Sequence, residues 1–126
     1  MMWPALTKKI FDPARVPQKF EGFPKEMAVR PSQIRASAGD AALMIPDAIL
    51  FRGQYKNLKM PVDIIAGQGD RIIDIDEQSG RLHREVPHSK FYRVPGAGHM
   101  VHQTAPDAVM VAINDLEGNV EARLER

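Results

Sequence analysis

Two side chains that together could perform acid–base chemistry follow two short apolar runs. Asp70 comes just after Val62–Ala66 and its glycine turn, and His99 comes just after Phe91–Val94 and a second glycine turn. In open α/β sheets the loops at the carboxyl ends of parallel strands carry the chemistry. An aspartate and a histidine on such loops are two of the three members of an acid–base–nucleophile triad. The sequence therefore predicts a candidate catalytic pair, with Asp70 as the acid and His99 as the base.

The residues around this pair alternate between strand and helix patterns. Val62–Ala66 is short, β-branched and bounded by turn residues, which is typical of a buried parallel strand, and Phe91–Val94 predicts a second. Between them, Asp74 with a glutamate three residues later resembles a capping box at the start of a helix. Pro106 predicts the start of a last helix, which Gly118 is expected to end. The order strand, helix, strand, helix predicts an α/β fold with a βαβα unit and parallel strands.

The first 57 residues lack this alternation. Four prolines within residues 1–24 disfavour regular helix, so we expect irregular structure there with one helical turn near Ala5–Ile10. Pro31 predicts the start of a helix. Pro46 is expected to break or kink that helix, and Ala48–Tyr55 to form another short one.

Composition narrows the classes of protein to consider. A length of 126 residues suits one small domain, and a net charge of +1 gives no reason to expect nucleic acid or an anionic membrane as a partner. The absence of cysteine excludes disulfides, thiol catalysis and thiolate metal sites. No apolar run approaches the roughly 20 residues that a membrane span needs, and the N-terminus has no secretory signal pattern. We therefore expect a cytoplasmic protein that contacts neither nucleic acid nor membrane and uses no cofactor.

Two stretches resemble the α/β-hydrolase fold family. Met60–Asp74, a strand followed by G-Q-G-D-R-I-I, resembles the acid loop of that family, and Val94–Met100, V-P-G-A-G-H-M, resembles its histidine loop. The resemblance, which extends over roughly residues 24–117, implies that Asp70 is the triad acid and His99 the general base. It also implies a partial α/β-hydrolase fold in three parts: a cap-like segment at 1–57, Pro-rich then helical, the C-terminal hydrolase core at 58–118 and a polar tail at 119–126.

The third member of the triad is missing. The family carries its nucleophile on a G-x-S-x-G elbow that precedes the acid in the chain. None of the four serines has glycines at the required positions; they are Ser32, Ser37, Ser79 and Ser89. We therefore interpret the chain as the acid–base C-terminal half of a hydrolase of ester-like or related small apolar substrates. Ester, lactone, epoxide, haloalkane and C–C bond cleavage all stay open.

Other functions compete with this interpretation. The chain could be a non-catalytic truncated fragment or a partner-binding domain. Asp74 is a rival acid, although its capping-box spacing already explains it. A group of carboxylates could instead ligate Mg²⁺ or Ca²⁺, although helix N-termini attract carboxylates without any metal; the group comprises Asp70, Asp74, Asp76 and Glu77.

The strand Val62–Ala66 is expected to lack a neighbour on one side. In a complete sheet an earlier strand would pair there, and the sequence contains no candidate for it. Unpaired N–H and C=O groups along such an edge template pairing with another chain. We therefore expect a homo-oligomer, most simply a two-fold dimer formed through this exposed sheet edge.

Overall fold

The structure, a computed structural model, describes residues 3–124. In chain order its elements are α1 (Trp3–Phe11), α2 (Gln18–Glu21), α3 (Lys25–Ala28), α4 (Pro31–Phe51), a 3₁₀ turn (Tyr55–Asn57), β1 (Asp63–Gly67), a π-helical turn (Asp76–Gly80), α5 (Arg81–Glu85), β2 (Lys90–Val94), α6 (Val101–Thr104) and α7 (Pro106–Leu124).

The two strands pair in parallel, as the sequence predicts for an α/β fold. Their register runs from Asp63 opposite Lys90 to Gly67 opposite Val94, and each strand lies within one residue of its predicted bounds. The Lys90 N–H extends the ladder by donating to the Val62 carbonyl at 2.9 Å. Because the carboxyl ends of the strands are level, the two loops that follow them start side by side.

The core around this sheet is small. Ile64 and Ala66 of β1 are buried, as is Ala112 of α7, which packs on β1. Ile75 and Val86 close the core on either side of the connection between the strands. These short and medium-sized side chains cover one part of a two-stranded sheet.

The connection between the strands is a π-helical turn followed by the short helix α5, where the sequence predicts one helix. The Asp74 carboxylate accepts hydrogen bonds from the N–H groups of Asp76 and Glu77 at 2.9 and 3.0 Å, as expected of a capping residue. The Gly80 N–H then reaches five residues back to the Ile75 carbonyl at 2.7 Å, which widens the turn.

The N-terminal residues are more ordered than the sequence indicates. The single helical turn expected near Ala5–Ile10 is a nine-residue helix, α1, because Pro4 falls in its first turn, where a missing N–H costs nothing. Phe11, the last residue of α1, is fully buried. Its ring meets Phe20 edge-on, with centroids 4.9 Å apart, and further stacked pairs continue the cluster to Phe23 and Trp3. Aromatic contacts thus hold a segment that prolines keep from being one long helix.

Of the break or kink expected at Pro46, the helix shows no break. Helix α4 runs without interruption from Pro31 to Phe51, and it includes most of the residues expected to form a separate helix at Ala48–Tyr55. Pro46 leaves the Ala42 carbonyl without its helical partner. No residue of α4 is buried, so water can solvate that carbonyl.

The end of the last helix also differs from the prediction. Gly118 does not terminate α7, which continues to Leu124, so the first six residues of the predicted polar tail are helical. The short helix α6, which the sequence patterns did not indicate, precedes α7. No helix within residues 3–124 combines the length and the apolar character needed to cross a membrane.

Asp63 of β1 places a carboxylate near Tyr92 of β2. An oxygen of Asp63 is buried and makes no hydrogen bond to the described residues. Two residues along the ladder, the Tyr92 hydroxyl donates to Asp115 at 3.1 Å. Burial, the hydrogen bond to Asp115 and the nearby charge of Asp63 together raise the pKa of Tyr92 to about 12, so Tyr92 holds its proton beside these carboxylates at neutral pH.

Removing the Phe11 ring should destabilise the fold more than any comparable change on the same helix. We expect Phe11→Ala to lower the free energy of unfolding by about 3–5 kcal/mol, because it deletes a fully buried ring. Leu6→Ala, also on α1 but with Leu6 47% exposed, should cost about 0.5 kcal/mol or less. Urea denaturation followed by circular dichroism measures both; equal costs would mean that α1 is not anchored through Phe11.

Candidate active site

The two loops that follow the strands are hydrogen-bonded to each other. After β1, the Gln68 N–H donates to the Val94 carbonyl and the Gly69 N–H to the Ala97 carbonyl, both at 2.9 Å. The end of β1 lies close to the histidine loop at Gly67, where a Cβ would overlap the Gly98 carbonyl oxygen. A side chain at that position would therefore drive the loops apart. The acid loop and the histidine loop thus form one connected unit.

Asp70 uses its two carboxylate oxygens for different partners. Oδ1 accepts hydrogen bonds from the N–H groups of Ile72 and Ile73, at 2.7 and 3.2 Å, which closes a turn. Oδ2 lies 2.9 Å from Nδ1 of His99. Asp70 can therefore form the turn and contact His99 at the same time, because each interaction uses a different carboxylate oxygen.

His99 stands at the end of a loop that brings it back over Asp70. Gly96 adopts a φ of 71°, a conformation that favours glycine, and the buried Ala97 holds the loop against the sheet. The His99 side chain is 37% exposed, whereas that of Asp70 is 5% exposed. Nε2 of His99 makes no hydrogen bond to any residue within 3–124. The ring therefore has one nitrogen held by a carboxylate and one without a hydrogen-bond partner among the described residues.

The surroundings of Asp70 favour its charged form. Partial burial raises the pKa of Asp70, but hydrogen bonds from Ile72, His99 and Ile73 and the charge of His99 together lower it below the ordinary value of 3.8. Asp70 is therefore ionised at neutral pH. An ionised partner orients the imidazole and stabilises the imidazolium that forms when the histidine takes up a proton.

The structure brings Asp70 and His99 together as the sequence predicts, within the hydrogen-bonding distance of about 2.6–3.2 Å required of such a pair. Their proximity does not test their catalytic role, which stays a prediction. The rival acid Asp74 is occupied by its capping hydrogen bonds.

The acidic cluster does not form a metal site in the described part of the chain. Asp70 is directed at His99, Asp74 caps a turn and Asp76 pairs with Arg93. Among residues 3–124, no group of three histidine, cysteine, aspartate or glutamate side chains is arranged to hold a metal ion.

The described structure also contains a serine–histidine contact, and its geometry is structural. Ser89 Oγ lies 2.8 Å from Nδ1 of His83 and donates its proton to the Val86 carbonyl at 2.7 Å. Since the hydroxyl has one proton, His83 must be the donor to Ser89 and cannot act as its base. Ser89 is buried, so this pair fixes the end of α5.

Sequence reasoning missed the contacts that the N-terminal segment makes with these loops. Asp12 forms a salt bridge of 2.6 Å with Arg71, the residue after Asp70. A Cβ at Gly98 would overlap the carbonyl oxygen of Asp12. A glycine directly before the candidate base is a signal that another stretch of backbone approaches closely.

Two cavities next to Tyr55 lie away from this pair. One of about 390 Å³ is lined by Phe51, Tyr55 and Leu58 with neighbouring polar side chains, and another of about 230 Å³ lies between Tyr55 and α5. Neither has Asp70 or His99 in its lining.

Acid titration should show that the Asp70 carboxylate is held in its charged form. A lowered native pKa means that Asp70 contributes stability above pH 3.8, and that this stability is lost as the pH falls through the lower native value. We expect carboxyl carbon NMR to give a midpoint below 3.8, and His99→Ala to raise it because one donor and its charge are lost.

The matched control is Asp74→Asn, which removes a neighbouring carboxylate that does not contact His99 and should leave the Asp70 midpoint in place. Asp70→Asn should flatten the pH dependence of the unfolding free energy below about pH 4. A midpoint for Asp70 at or above 3.8 would contradict the hydrogen bonding described for it.

The chain matches a protein family described as the alpha/beta hydrolase fold over residues 8–106. No curated protein and no solved structure matches it.

Proposed function

The chain belongs to the α/β-hydrolase fold family, and on that premise we propose that Asp70 and His99 are the acid and the general base of a hydrolase. The observation that carries the proposal is the 2.9 Å contact between Asp70 Oδ2 and His99 Nδ1, which leaves Nε2 without a hydrogen-bond partner among residues 3–124. The carboxylate holds the proton of the neutral imidazole on Nδ1, so the lone pair of Nε2 can take a proton from an attacking hydroxyl. This chemistry needs no cofactor.

The nucleophile in this proposal lies on a polypeptide segment outside residues 1–126. No serine of the chain has an elbow pattern. Within residues 3–124, no serine makes a hydrogen bond to His99, whose partner is Asp70. The chain accordingly supplies the acid–base C-terminal half of the site, as its order of residues implies.

We propose ester-like or related small apolar substrates. The support is the surface next to the pair: the side chains of Ile72 and Ile73, which follow Asp70 closely, are 40% and 39% exposed. An apolar group of a substrate could bury them beside His99. The bond that is cleaved stays open, and a cytoplasmic location stays a prediction.

Hydrolysis of p-nitrophenyl esters tests the assignment of the pair. The isolated chain should be inert or nearly so, and a serine-directed fluorophosphonate should not label it. When the chain is produced joined to the polypeptide encoded immediately upstream, we expect ester hydrolysis. His99→Ala should then lower kcat by about 10⁶-fold and Asp70→Asn by about 10⁴-fold, as loss of a triad base or acid does.

Asp74→Asn is the matched control, because it removes a nearby carboxylate that serves as a cap, and it should leave kcat within a few-fold of the original. Turnover by the isolated chain that disappears in His99→Ala would reveal a nucleophile within these residues and contradict the division proposed here. Hydrolysis by the longer protein that survives His99→Ala would overturn the role of the pair.

A second candidate function, binding of a partner chain, is favoured by two features of the described structure. β1 pairs with β2 alone, and α4 has no buried residue, with Leu43, Met44 and Ile45 each 64–65% exposed. Exposed apolar patches and unpaired strand edges mark association sites. We propose that the chain self-associates as a two-fold dimer through the outer edge of β1.

Light scattering over a dilution series measures this association, and hydrogen exchange locates it. We expect a dimer that dissociates on dilution, with the amides of Val62–Ala66 losing protection as it does. Leu43→Lys distinguishes the edge of β1 from the exposed apolar surface of α4. It alters only the α4 surface and should therefore leave a dimer formed through the β1 edge intact. A monodisperse monomer at high concentration, with Val62–Ala66 strongly protected, would contradict the proposal.

A further inference from the structure

The segment Phe11–Pro13, which we name the strap, lies across both loops of the candidate site. Its Asp12 carboxylate pairs with the Arg71 guanidinium at 2.6 Å. Its Pro13 ring lies on Gly69, where a Cβ would come within 2.5 Å of the ring. The strap therefore contacts the chain immediately before and immediately after Asp70.

The same three residues contact the chain immediately before His99. The strap backbone lies so close to Gly98 that a Cβ there would overlap the Asp12 carbonyl oxygen and approach the Phe11 carbonyl oxygen at 3.2 Å. One short segment thus contacts the neighbours of both members of the pair.

The strap is itself anchored. Phe11 is fully buried, and the Asp12 N–H donates to the Lys8 carbonyl at 2.9 Å, which continues the hydrogen bonding of α1. Displacing the strap would expose the Phe11 ring, so it resists movement. A fixed segment that touches both loops can set their separation.

Arg71 links the strap to the carboxylate. It lies inside the turn that Asp70 closes with the N–H groups of Ile72 and Ile73. Holding the Arg71 side chain restricts the turn, and the turn orients Oδ2 toward His99. The turn thereby links the Arg71 side chain, which is 67% exposed, to the Asp70 side chain, which is 5% exposed.

We propose that Asp12 and Arg71 are positioning residues that hold Asp70 against His99 through the strap. The inference rests on the proposed function of the pair, and it assigns to the N-terminal segment a direct part in setting the geometry of the base. When the Asp12–Arg71 pair is broken, the acid turn loosens and His99 loses its fixed Nδ1 partner.

The test is nitrogen NMR of ¹⁵N-histidine-labelled protein, which reports which ring nitrogen of His99 carries the proton; His99→Gln assigns the signal among the four histidines. In the unmodified chain His99 should be in the Nδ1–H form. Asp70→Asn should reduce that form, and Arg71→Gln and Asp12→Asn should each reduce it in the same direction. Arg71→Lys and Asp12→Glu, which keep the ion pair, should restore it.

The direction of change separates positioning from a simple charge effect. Arg71→Gln removes a positive charge and Asp12→Asn a negative one, so a field effect on His99 would have opposite signs in the two variants. Loss of positioning has the same sign in both, and the double variant should be no worse than either single one, because both remove one interaction. Arg81→Gln, which breaks an exposed pair with Glu85 on α5, is the control and should change nothing at His99.

Each result has one meaning. If Asp70→Asn changes the His99 signal while Arg71→Gln and Asp12→Asn do not, the strap inference is overturned and the acid–base pair stands. If Asp70→Asn changes nothing, the pair itself fails, and the proposed function with it. Opposite shifts in Arg71→Gln and Asp12→Asn, or failure of Arg71→Lys to restore the signal in a folded protein, would also overturn the inference.

Discussion

The register that puts Gly67 opposite Val94 is the constraint on which the rest of the site depends. It ends both strands at the same level, so that two loops begin side by side and share hydrogen bonds from Gln68 and Gly69. A register shifted by two residues would separate Asp70 from His99 by about 6–7 Å along the sheet, since a strand rises about 3.3 Å per residue. The register of the sheet therefore sets the separation of Asp70 and His99, and their side-chain conformations act only within that limit.

Asp70, just beyond the carboxyl end of β1, has both a structural contact and a contact with the candidate base. One of its oxygens closes the turn that follows β1, and the other contacts the histidine. Its low pKa results from the same hydrogen bonds that shape the loop. A substitution at Asp70 consequently alters a backbone turn as well as a charge, and any loss of function must be compared with changes that affect one of these alone.

The sequence predicts the parts of the fold that depend on short-range patterns. The two strands, the cap at Asp74 and the meeting of Asp70 with His99 follow from β-branched runs, carboxylate spacing and the position of loops in parallel sheets. These features depend on residues within a few positions of each other, or on the level ends of adjacent strands.

The failed predictions depend on surroundings that a pattern does not contain. Pro46 and Gly118 interrupt helices in many contexts, but α4 is solvated along its length and Gly118 has no neighbouring atom that would require another conformation. The strap was missed because its contacts join residues 11–13 to residues 69–98, and no periodicity records a pairing over that distance. The local signal of this contact is a glycine directly before each site residue, Gly69 before Asp70 and Gly98 before His99.

The burial of Phe11 has a consequence for the order of events during synthesis. The ring of Phe20, which meets that of Phe11 edge-on, is made nine residues later, within about 2 s at a translation rate of about 5–20 residues per second. Gly98, against which the Phe11 carbonyl oxygen lies, is made 87 residues after Phe11, roughly 4–17 s later at the same rate. The aromatic cluster can therefore form before the histidine loop exists, and the contact between the strap and Gly98 is made last.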